Sequence, residues 1–154
     1  MIYLDLLAFG ISGILLYILF FILFIAFIVS IIILIAQWKM FAKAGEEGWK
    51  ALIPIYNTWI MIKLTFGEGK EWLISGTLFA IVGNYIDGPI GALMLFAGVI
   101  MSVYISYNFI RRFAEVGMSI ASLILPVIIY PIVGFSSKYK YTPPTIHFDD
   151  EYTL

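Results

Sequence analysis

Apolar and polar positions in this chain come in long blocks, without the period-two alternation of a half-buried strand. Residues 6–36 are almost uninterrupted Leu, Ile, Phe, Val and Ala. At about 1.5 Å per residue such a helix is longer than a hydrocarbon core of about 30 Å, so it should tilt or protrude. A first transmembrane helix is therefore expected over 6–37. A charged island follows over 38–50, flanked by Trp38 and Trp49, residues suited to a membrane interface. Residues 51–66 are apolar again but carry Pro54, Asn57 and Lys63. They are too short and too polar for a confident span, and predict a re-entrant or interfacial helix. A full span there is the alternative.

After the polar stretch 67–71, the runs 72–86 and 90–110 are separated by Asp87-Gly88-Pro89, a strong turn signal, and predict an antiparallel helical hairpin. Arg111 and Arg112 close it. The run 118–135, with Pro126 and Pro131, reads as a last transmembrane helix, which would place residue 137 across the membrane from residue 69. Residues 136–154 are polar, contain Pro143-Pro144 and end acidic, and are expected to form a mobile tail. The fold class is thus all-α: a polytopic helical membrane protein with one domain over 1–135. It has about four transmembrane helices and a proline-containing re-entrant piece.

Composition sharpens this picture. Apolar residues make up 62% of the chain and charged ones 12%, where a soluble domain carries about 25%. A soluble fold of this size buries only about 70% of its surface and could not hide so much apolar area. The lipid bilayer is the expected solvent. A net charge of −1 gives no basic footprint for nucleic acid, and the absence of cysteine excludes disulfides and thiolate metal sites. No basic n-region precedes the first apolar run, so it reads as a retained helix and not a cleavable signal. Lys39, Lys43 and Lys50 follow that helix, which puts its N-terminus outside and the island in the cytoplasm.

A weak internal repeat is visible. Phe41-Ala42-Lys43-Ala44-Gly45 and Phe113-Ala114-Glu115-Val116-Gly117 match at a constant offset, and Pro54 and Pro126 follow at equal distances. Repeats of this kind are common in membrane folds.

The run WKMFAKAGEEGWKALIPIYN, with the later RRFAEVG and LPVIIYPIVGF, resembles an uncharacterised family of small multi-spanning bacterial membrane proteins. That family carries an FxKAGxxGWxxLIPxYN signature. The resemblance covers residues 38–135, and departs from the family pattern at Phe113-Ala114 and at Glu46-Glu47. It implies a bacterial cytoplasmic-membrane location. Some relatives lie beside or are fused to a signal peptidase. No established activity comes with it.

Residues for catalysis are scarce. His147, the sole histidine, lies in the tail, so no histidine triad or metal site is expected. No spacing draws Lys63 toward Ser75, Ser102 or Ser106 for serine–lysine chemistry. A lysine in an apolar stretch is still a functional-site hypothesis by default, although snorkelling to the headgroups explains Lys63 as well. Pro54 with Tyr56 and Asn57, and Pro126 with Pro131, are read as kinks whose freed carbonyls need partners. Asn57, Asn84 and Asn108 suit interhelical hydrogen bonds or helix-end caps. Gly45 and Gly48 suggest a turn, and Gly117 is the match of Gly45 in the repeat. Gly98, Ser102 and Ser106, extended by Gly91, form a small-residue stripe for close helix packing. No cofactor is expected. The expectation is a non-enzymatic membrane protein, an accessory or interaction subunit of a secretion, processing or envelope system, with a membrane-protein partner or a homo-oligomer. A small oligomeric transporter or channel subunit and a membrane immunity protein are the alternatives.

Overall fold

A computed structural model describes residues 2–144, with side chains from residue 10 onward. Six α-helices and two short 3-10 helices account for the regular structure, and no strand occurs among the described residues.

Helix α1, Ile2–Lys43, is 42 residues and about 63 Å long. It absorbs the first half of the island, where a chain terminus for the helix was expected at residue 37. Its stop is chemical. The Glu46 N–H bonds to Phe41 O at 2.9 Å and the Gly45 N–H to Ala42 O at 3.2 Å, with Gly45 at φ 83°, a conformation glycine adopts without steric cost. A 3-10 turn, Gly48–Leu52, leads to α2, Pro54–Phe66. A second 3-10 turn, Glu71–Leu73, runs into α3, Ile74–Gly83, and α4 follows as Pro89–Arg111. Helices α5, Val116–Ile124, and α6, Pro126–Phe135, complete the chain.

Prolines open three of these helices. Pro54, Pro89 and Pro126 each stand at the first helical turn, where the missing N–H costs nothing. The expected kinks at Pro54 and Pro126 are therefore helix starts, and only Pro131 lies inside a helix. The expected single helix over 118–135 is broken at Leu125, whose φ of −127° and ψ of 57° is not helical. A residue before proline is pushed out of the α region. The two segments expected to form an internal repeat share the helix-starting proline but not the piece before it, so the structure does not support a duplication. One has a five-residue 3-10 turn, the other a nine-residue α-helix.

The predicted hairpin is present. Helices α3 and α4 lie so close that a Cβ on Gly98 would stand 2.6 Å from the Ala80 backbone nitrogen and 2.7 Å from Gly76 O. Gly83 and Gly91 continue this contact toward the turn.

The core gathers where four helices end. Ala36, Met40 and Phe41 of α1 meet Ile60 and Ile62 of α2, Phe109 and Ile110 of α4, and Ile129 and Val133 of α6. Phe41 and Phe109 pack edge to face at 5.9 Å. By contrast, residues 10–28 of α1 are exposed on every side.

Residues 136–144, expected to be mobile, are fastened to the body. Tyr141 packs on Phe113 at 5.4 Å, and its hydroxyl donates to Leu64 O at 2.7 Å. Thr142 N–H donates to Arg112 O at 2.7 Å. His147 and the acidic residues 149–151 lie outside the described residues.

Candidate functional site

The ends of α1, α2, α4 and α6 converge on one polar face, and the reason is backbone chemistry. The last turn of a helix leaves carbonyls without intrahelical donors, and these attract cations. Lys43 Nζ, at the end of α1, donates to Val133 O and Ser136 O at 2.6 Å each and so closes α6. Arg112 Nε, at the end of α4, donates to Thr65 O at 2.7 Å and so closes α2. Each long helix thus caps the proline-started helix of the other half.

Beside these caps, Glu46 accepts from Lys50 at 2.6 Å and lies 3.7 Å from Lys63. The Lys50 hydrogen bond holds the Glu46 carboxyl below the usual carboxylate range. The Lys63 side chain is partly exposed and faces this carboxylate at the polar end.

The signature residues build the elbow between α1 and α2. Gly48 lies under the Trp38 indole, where a Cβ finds no room. Trp49 stacks on Tyr56 at 6.1 Å, Tyr56 on Trp59 at 5.3 Å, and Trp49 Nε1 donates to Glu47. Asn57 Nδ2 donates to Gln37 Oε1 at 2.6 Å and to Ala51 O at 3.0 Å, tying α2 to α1. Its Oδ1 is buried without a partner. Asn84 and Asn108, by contrast, donate to carbonyls four residues back in their own helices.

The small-residue stripe is divided between neighbours. Gly98 serves α3, Ser106 meets the Tyr130 hydroxyl of α6, and Ser102 is exposed. Gly117 has open space around it. Two open cavities complete the picture. One of about 530 Å³ is lined by Arg111, Arg112, Glu115, Met118, Lys138 and Thr142 among others. The other, about 520 Å³, is an apolar groove of Phe66, Trp72, Leu73, Ile100, Met101 and Tyr104 with Lys70 at its edge.

Sequence reasoning placed Lys43 and Arg112 only as topology markers. Their position in a last helical turn was the available signal for capping. Tyr141 gave none, because its target, Leu64, is remote in sequence. Among the described residues no group of three or more His, Cys, Asp or Glu side chains is arranged to hold a metal.

The protein is an all-helical chain in which two helices, over Gly10–Lys43 and Pro89–Arg111, are long and apolar enough to cross a membrane. It belongs to a family of unknown function, DUF5684, whose profile matches residues 49–144. The resemblance carried by the signature is borne out as to family, and the matched region leaves α1 outside it. No curated protein and no solved structure matches the chain.

Proposed function

We propose that this chain is a multi-pass integral membrane protein without chemistry of its own, serving as an accessory or interaction subunit of a secretion, processing or envelope system. The observation that carries the reading is the exposure of residues 10–28 of α1. This stretch is long enough to span a hydrocarbon core, almost wholly apolar, and exposed along its whole length. In water that surface would aggregate; in a bilayer it is solvated by lipid and free to pack on another helix.

The basic residues at the ends of α1 and α4 converge on one face, which the positive-inside rule assigns to the cytoplasm. The N-terminus of α1 then lies outside. The α5–α6 unit starts beside Arg112 and returns to Lys43, so it re-enters and does not cross. Residue 67 lies close to Pro144, which supports a reading with residues 69 and 137 on the same side.

The cysteine-free chain makes this directly measurable. Single cysteines at Gly69 and at Ser137 are expected to resist a membrane-impermeant thiol reagent in intact cells, and to react after permeabilisation. Labelling of only one in intact cells would overturn the re-entrant reading.

The subunit role is tested by gentle solubilisation of the tagged protein and mass spectrometry of what travels with it. A stoichiometric membrane protein is expected, and replacing residues 10–28 by polyleucine should release it while preserving insertion. A homo-oligomer with no other component would replace this reading by the transporter or channel one.

A further inference from the structure

We propose that the cavity of about 530 Å³ between the end of α4, the start of α5 and residues 138–142 binds the headgroup of an anionic, hydroxyl-bearing glycerophospholipid such as phosphatidylglycerol. The proposal rests on the membrane reading above.

Three cations, Arg111, Arg112 and Lys138, line the cavity against one carboxylate, Glu115. Among the described residues, none of the three cations has a carboxylate partner, whereas the acids of the elbow are paired with Lys50 and Lys63. Arg112 uses Nε on Thr65 O, which leaves its terminal nitrogens for a phosphate. Lys138 Nζ stands over the Tyr139 ring at 5.7 Å, a cation–π contact that helps hold the ammonium in place. The cavity size falls in the range of small-ligand sites, about 300–1,000 Å³.

Its position selects a lipid. The exposed apolar surface of α4, with Val99, Ile100 and Val103, ends about two turns before Arg111. The cavity therefore stands at the depth of phosphates, and Phe113 and Met118 give it an apolar wall. A carboxylate in a phosphate site repels a second anion but accepts hydrogen bonds from headgroup hydroxyls, and Glu115 thereby favours a glycerol headgroup over a bare phosphomonoester.

The test uses the full chain in nanodiscs of equal phosphatidylglycerol and phosphatidylcholine, released into the gas phase for native mass spectrometry. The parent is expected to retain one phosphatidylglycerol. The double variant Arg111→Gln/Lys138→Gln should lower retention about tenfold, equivalent to about 1.4 kcal/mol. The charge-matched Lys39→Gln/Lys70→Gln, outside this cavity, should behave like the parent. Equal retention of phosphatidylcholine, or no loss in the Arg111/Lys138 variant, would overturn the site. Release of the lipid by millimolar inorganic phosphate would make it a soluble-phosphate site and overturn the lipid assignment. Extraction of the parent from membranes by alkaline carbonate would instead sink the membrane reading, independently of these results.

Discussion

Gly98→Val should strongly destabilise the folded state. The valine Cβ would meet Ala80 N at 2.6 Å, Ala80 Cβ at 2.7 Å and Gly76 O at 2.7 Å, and two of these three atoms are α3 backbone. Backbone cannot rotate away as a side-chain tip can, so α3 must lift off α4. Overpacking in a close-packed site costs about 1–3 kcal/mol where side chains can yield, and this site belongs at or above the top of that range. Against a total stability of about 5–15 kcal/mol, the loss is large enough to change yield and homogeneity. The measurement is the thermal transition of the detergent-solubilised protein with its size-exclusion profile. Gly117→Ala is the matched control: its Cβ meets no atom within 4 Å, its helix gains the alanine preference, and about 0.5–1 kcal/mol of added stability is expected. A Gly98→Val protein that melts and elutes like the parent would mean that the two helices do not touch there.

Lys43→Met should unfasten α6. The ammonium makes two bonds of 2.6 Å to carbonyls that no helix donor reaches, and bonds to a charged group contribute about 1.5–3 kcal/mol each. Methionine keeps the length and apolar stem but supplies no donor. The expected loss is about 3 kcal/mol, concentrated in α6. Hydrogen exchange read by mass spectrometry should quicken in peptides covering residues 126–136, and Lys43→Arg should restore part of the protection. Lys39→Met, an exposed neighbour, should leave the same peptides unchanged. Exchange in α6 that ignores the identity of residue 43 would remove the cap.

What the sequence made legible follows a physical rule. Features determined by adjacent residues were readable: the long first helix from its unbroken apolar run, the α3–α4 hairpin from Asp87-Gly88-Pro89, and the family from its signature. Pro54 and Pro126 were noticed but read as kinks, because proline inside an apolar run looks the same whether it bends one helix or begins another. The decisive neighbour was the non-helical residue before each, Ile53 and Leu125. The polar face was the least legible. Lys43 meets a carbonyl 90 positions away, and Arg112 one 47 positions away, and no local pattern encodes such a pairing. Gly98, Ser102 and Ser106 fell on one helical face as their spacing required, yet that face meets α3 at one level and α6 at another.

The Lys43 cap also orders events during biosynthesis. A ribosome releases α1 first and α6 last, so the carbonyls that Lys43 holds do not exist until nearly all of the described chain has been made. Until then the C-terminal end of the first helix carries a cation with no fixed destination. Non-local contacts of this kind form late, after the loop between them has been closed. A chain truncated before Pro126 would leave that end open, and it closes only when Ser136 arrives under Lys43.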